Sequence, residues 1–121
     1  MMQERRRYVR ANGLVLVNYK VPDLQLEGKS SAYDISGGGL RITTNKKLSS
    51  EASVEMEIYL PGSSQPIIAK GEVVWSDKVK EKKQLQGPEE YFFSGIKFTV
   101  IEEENRNRII NYVRRKVHQR K

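Results

Sequence analysis

The sequence predicts a mainly β protein: a six-stranded antiparallel β-barrel, preceded by a flexible basic N-terminal arm and closed by a C-terminal α-helix. Two observations carry that prediction. About six short stretches of β-branched and aromatic residues, several alternating between apolar and polar, are separated by Pro, Gly, Asn and Ser turn signals. A closed antiparallel sheet is the arrangement that leaves such strands without exposed edges. After Glu102 the apolar period changes from that of a strand to that of a helix. At 121 residues the chain is expected to form one domain, with residues 1–11 as the arm, 12–101 as the barrel and 102–121 as the helix.

In chain order, residues 1–11 carry Arg5, Arg6, Arg7 and Arg10 with little apolar material to fold on, so this arm is expected to be mobile. Leu14 to Val21 is the first strand, ended by Pro22-Asp23, and Leu24 to Ala32 is a weaker strand leading into a turn from Asp34 to Gly39. Leu40 to Thr44 resumes the alternation and Asn45-Lys46-Lys47 is a loop. Val54 to Leu60 has the clearest period of two in the chain, and Pro61 to Ser64 closes it. Ile67 to Ser76 follows, with Ile67, Ala69, Gly71, Val73 and Trp75 on one side. Lys78 to Glu90, containing Gly87-Pro88, is a charged loop long enough to be flexible. Tyr91 to Ile101 is the last strand. In the helix, Ile109, Ile110, Val113 and Val117 form the apolar stripe; Glu102 to Glu104 lie at its positive end and Arg114, Arg115 and Lys116 near its negative end.

Composition narrows the function. The chain has no cysteine and a single histidine, His118, which removes disulfides, thiolate metal sites, cysteine nucleophiles and His-based pairs, so enzyme chemistry is poorly supplied. A formal net charge of +7 favours anionic partners without naming one. No apolar run approaches the roughly 20 residues of a membrane span, and Arg10-Ala11-Asn12-Gly13 interrupts any signal-peptide core, so the expected location is the cytoplasm.

Two clusters remain. Arg5-Arg6-Arg7-Tyr8-Val9-Arg10 places four guanidiniums in six residues, each a fork of donors suited to phosphate oxygens or to the O6/N7 edge of guanine. Arg6 and Arg10 share a side whether the arm is extended or helical. Taken alone, the cluster reads more readily as a solvated tail than as a site. Tyr33-Asp34-Ile35-Ser36-Gly37-Gly38-Gly39-Leu40 puts an acid, a hydroxyl and three glycines between two strands, where the backbone can turn with positive φ and a ligand can come close. Asp, Ser and Gly also make ordinary turns, but three consecutive glycines exceed what a hairpin needs.

Read together, Arg6-x-x-x-Arg10 and Asp34-x-Ser36-x-x-Gly39, 24 residues after Arg10, resemble the PilZ domain, the bacterial receptor module for cyclic di-GMP. Gly71-Glu-Val-Val-Trp75 and Gly95-Ile-Lys-Phe98 resemble its later strands. The resemblance implies a non-enzymatic receptor without a cofactor, whose ligand has two phosphates and two guanines. Arg5, Arg6, Arg7 and Arg10 would hold phosphates or stack on guanine, Asp34 would accept from guanine N1 and N2, Ser36 would offer its hydroxyl, and Gly38 and Gly39 would admit the ligand to the main chain. Trp75 would lie beside the ligand at the end of its strand. Arg5 beside Arg6 goes, in that family, with an intercalated pair of ligand molecules. The expected output is a monomer that orders its arm over the barrel and signals to an unidentified protein in motility, pilus, biofilm or secretion control. The alternatives are a small basic nucleic-acid-binding barrel and an adaptor that works through protein contacts.

Overall fold

The computed structural model describes residues 15–79 and 90–119. It contains seven strands and one α-helix: β1 (Leu16–Val21), β2 (Leu26–Ser31), β3 (Tyr33–Ser36), β4 (Gly39–Thr44), β5 (Ser53–Tyr59), β6 (Ile67–Lys78), β7 (Phe92–Ile101) and α1 (Glu103–Gln119), with a 3-10 turn at Pro22–Leu24. The strands form one sheet in the order β2-β1-β5-β6-β7-β4-β3, antiparallel at every step. Its two edges, β2 and β3, are separated in sequence by Ala32 alone, so the sheet must curl until they meet. Beside that corner Ser30 ties β2 to β4: its Oγ accepts from the Thr43 backbone N–H at 3.0 Å and lies 3.1 Å from Thr43 Oγ1. The result is the expected antiparallel barrel with a C-terminal helix, left partly open at the seam.

The count is seven strands rather than six, because the stretch from Leu24 onward divides. Pro22 starts a 3-10 turn that takes in Leu24, and Gln25 ends it in the left-handed region at φ 50°, so β2 begins only at Leu26. Tyr33–Ser36, expected as the entry to a turn, is itself a strand paired to β4 across a register shift. Four residues with a bulge show no readable alternation.

The core fills the inside of the curled sheet, with Ile109 and Tyr112 of α1 joining it. In β5 the alternation predicted from sequence holds, with Val54, Met56 and Ile58 buried. In β6 it fails at the end: the register shift between Val73 and Trp75 reverses the phase, leaving Trp75 39% exposed and burying Ser76 instead. The Ser76 hydroxyl is satisfied, lying 2.9 Å from Ser94 Oγ and accepting from the Leu48 N–H at 3.0 Å, as a buried polar group must be.

The helix buries Ile109 and Tyr112, with Val113 packed against the core, whereas Val117, expected in the stripe, is 45% exposed. Its covering face therefore ends near Val113. Arg108 fixes it laterally by donating from Nη2 to Ser63 Oγ at 2.7 Å and to the Gln65 carbonyl at 2.8 Å, both in the β5–β6 turn. At the far end of the β6–β7 hairpin, Lys78 pairs with Glu90 at 3.2 Å and the Val79 N–H donates to the Tyr91 carbonyl at 2.9 Å. The expected flexible loop between these residues lies outside the described residues, apart from this base.

Candidate functional site

The three glycines serve the fold differently from what the sequence suggested. None of Gly37, Gly38 and Gly39 has a positive φ; the left-handed residue here is Asp34, at φ 52°. Gly37 and Gly38 are the two-residue turn between β3 and β4, which pairs Ser36 with Gly39. What the glycines provide is close approach. A Cβ on Gly39 would collide with the Ile96 carbonyl oxygen and lie 3.0 Å from Lys97 Cα, both main-chain atoms of β7. A Cβ on Gly37 would lie 2.9 Å from the Ile110 side chain of α1, and the Gly37 carbonyl accepts from Arg106 Nη1 at 2.8 Å. Only Gly38 is open, its nearest neighbour being Ser36 Oγ at 3.8 Å.

Around this turn lies a hollow of about 310 Å³. Of the residues singled out from sequence, Asp34, Ser36, Gly38, Gly39 and Trp75 all line it, although they come from three separate strands and the turn. Arg5, Arg6, Arg7 and Arg10 lie outside the described residues. Ser36 Oγ accepts from the Gly38 N–H at 3.1 Å, which leaves its own proton available to donate. Trp75 reaches the hollow because of the β6 bulge and because Gly95, opposite it on β7, has no side chain; a Cβ there would run into the indole ring.

The sequence reading missed Arg41, Lys97 and Gly95, which line the same hollow. Arg41 Nη2 pairs with Asp34 Oδ2 at 3.1 Å, while its guanidinium lies 4.4 Å from the Phe93 ring centroid and 5.4 Å from that of Tyr33. Those two rings are themselves edge-to-face at 5.7 Å. A signal for Arg41 existed: reading Gly37-Gly38 as a two-residue hairpin turn sets Ser36 against Gly39 and, two residues back along each strand, Arg41 against Asp34. The site therefore offers two cations, one carboxylate, an indole face and a free hydroxyl proton, a set suited to an anion bearing planar rings.

A larger hollow of about 590 Å³ lies elsewhere, across β2, β1, β5 and β6. Its charged lining is balanced, Lys20, Lys29 and Lys70 against Glu27, Glu55 and Glu57, so it has no net attraction for an anion. Size alone does not select it. Burial raises the pKa of the Tyr19 phenol, which lines this hollow, above its ordinary value, and at Tyr59 desolvation and then Glu57 do the same. Neither group belongs to the glycine turn. Among the described residues no cluster of His, Cys, Asp and Glu could hold a metal ion, and no helix is long and apolar enough to cross a membrane.

A curled antiparallel sheet with a terminal helix latched to a glycine turn is the architecture of a known family. The PilZ domain model matches residues 4–115, and the chain belongs to that family. No curated protein matches it. Among solved structures, the chain is similar to the Bacillus subtilis inhibitor of motility MotI/DgrA, at a TM-score of 0.67 and 19% identity over 89% of this chain and 48% of that one. It is similar to K. pneumonia MrkH in its c-di-GMP complex, at a TM-score of 0.70 and 16% identity over 92% and 50% of the two chains. The PilZ domain of Escherichia coli YcgR with c-di-GMP matches at a TM-score of 0.61 and 11% identity over 88% and 86%. At these identities the likeness is one of fold. The chain spans about half the length of MotI/DgrA and MrkH.

Proposed function

We propose that this chain is a cytoplasmic, non-enzymatic receptor for cyclic di-GMP that passes the ligand signal to a protein partner. The observation that carries the reading is the convergence of Asp34, Ser36, Gly38, Gly39 and Trp75 on one cation-bearing hollow in a PilZ-family chain. MrkH and the YcgR domain, which share its fold, are known in complex with that ligand. In this reading Asp34 accepts from guanine N1 and N2, Ser36 donates to phosphate or base, Trp75 stacks on a purine face, and Arg41 and Lys97 add positive charge on the rim.

Arg6 and Arg10 would clamp the phosphates and Arg5 and Arg7 would supply further guanidiniums, Arg5 stacking on a second, intercalated ligand. Ordering about six arm residues costs roughly 1 to 2 kcal/mol each, which several charge-assisted contacts of roughly 1.5 to 3 kcal/mol apiece can offset. The ordered arm over the hollow would then be the surface a partner recognises, in motility, pilus, biofilm or secretion control. Calorimetric titration with cyclic di-GMP, GTP and single-stranded RNA tests the proposal. Saturable binding that prefers the cyclic dinucleotide supports it, and a stoichiometry of one ligand per chain would remove the intercalated pair. Preference for RNA, with affinity falling steeply with salt, would make the chain a nucleic-acid binder instead.

A further inference from the structure

We infer that Arg41 is the residue that positions Asp34 for base recognition, and so sets the selectivity of the site for guanine over adenine; the inference rests on the receptor reading above. Asp34 sits at the register shift between β3 and β4 with φ 52°, a left-handed conformation that Asp visits more readily than most non-glycine residues. Its side chain is held from the facing strand by Arg41, with Nη2 at 3.1 Å from Asp34 Oδ2.

Arg41 is itself held. Its guanidinium lies 4.4 Å from the Phe93 ring centroid and 5.4 Å from that of Tyr33, and the two rings brace each other edge-to-face. Its Nε is buried without an acceptor among the described residues, so the fork is placed for the aromatic faces and the carboxylate rather than for its own hydrogen-bond count. An ion pair this exposed, with side chains 23% and 37% accessible, contributes little to stability. Its consequence is orientation: the Asp34 carboxylate is held at the wall of the hollow, beside the guanidinium of Arg41.

That orientation matters because guanine and adenine differ on the edge a carboxylate reads. Guanine presents two donors, N1–H and the N2 amino group, to the two carboxylate oxygens. Adenine presents an N1 acceptor beside its N6 amino group, so a carboxylate held in place meets one donor and one repelling lone pair. A carboxylate able to swing would avoid the repulsion and discriminate less.

The test is a double-mutant cycle on the full chain: wild type, Arg41→Met, Asp34→Asn and the double variant, each titrated calorimetrically with cyclic di-GMP and cyclic di-AMP. Arg41→Met is expected to weaken cyclic di-GMP binding by about tenfold or more, to narrow the ratio between the two ligands, and to have less than about a twofold further effect once Asp34 is Asn. Arg41→Lys, which keeps the charge but lacks the planar fork and retains the fold if Arg41→Met does not, should fall between wild type and Arg41→Met in selectivity. Unchanged selectivity in both Arg41 variants, or losses that multiply independently of Asp34→Asn, would overturn the inference while leaving the receptor intact. A wild-type chain that binds neither ligand would overturn the receptor reading, and this inference with it.

Discussion

Two adjacent glycines in the same turn should respond oppositely to alanine. In Gly39→Ala the new Cβ would meet main-chain atoms of Ile96 and Lys97 that have no side-chain freedom to yield, so β4 and β7 must separate locally. Overpacking of this kind costs about 1 to 3 kcal/mol. The separation also strains the Phe98 N–H bond to the Gly38 carbonyl, 2.9 Å long, which contributes about 1 kcal/mol more. Against this, alanine lowers the entropy of the unfolded chain by the equivalent of about 0.4 to 1 kcal/mol. The net expectation is a loss of about 1 to 3.5 kcal/mol, which for a domain of this size lowers Tm by roughly 5 to 15 °C. Gly38→Ala has only Ser36 Oγ nearby, at 3.8 Å, and no left-handed φ to violate, so the entropy gain should leave its Tm unchanged or slightly raised. Thermal unfolding followed by circular dichroism measures both. If the two variants melt within about 2 °C of each other, on that scale of a few degrees per kcal/mol, the close approach of β7 is not what requires glycine at position 39.

The remaining predictions are independent of one another. Tyr112 buries a hydroxyl that has no hydrogen-bond partner among the described residues, so Tyr112→Phe should stabilise the protein by about 1 kcal/mol; a loss of similar size in chemical denaturation would mean the hydroxyl is used. Burial raises the Tyr112 pKa, opposed by Arg115, and burial alone raises that of Tyr19. Their neutral forms are therefore favoured by folding: the stabilisation is intact below the unfolded tyrosine value near 10 and is lost as pH rises above it. Urea midpoints measured across that range should fall, less steeply in Tyr112→Phe. Gly95→Ala should displace the Trp75 indole, the only tryptophan in the chain, shifting its emission and weakening cyclic di-GMP binding; unchanged emission would refute the packing argument. Arg6→Ala and Arg10→Ala should each weaken that binding by roughly ten- to a hundred-fold, as loss of a charge-assisted contact does, and unaltered affinity in both would make these arginines a solvated tail.

How much of this was legible in the sequence varied with how far each feature depends on local pattern. The β5 strand and the helix were readable because period two in Val54 to Leu60 and helical spacing through Ile109, Ile110 and Val113 repeat often enough to stand out. The surfacing of Trp75 was not, since it follows from register shifts in β6 that appear only when β7 is in place. β3 was too short and too irregular to read. The glycine turn was read for the wrong physical reason: Gly39 and Gly37 are small to admit β7 and α1, while positive φ falls on Asp34. Arg41 was hidden because its partner is set by hairpin register, which composition does not display.

Chemical-shift mapping of the isotopically labelled chain during titration with cyclic di-GMP tests the central claim most directly, because it distinguishes the two hollows. Saturable shifts are predicted for the amides of Ser36, Gly38, Gly39 and Gly95 and for the Trp75 indole N–H, all of which belong to the 310 Å³ hollow. The amides of Asn18, Tyr19, Gly28 and Met56 around the larger hollow should stay in place. Shifts centred on that second group, or none at all at saturating ligand, would contradict the account.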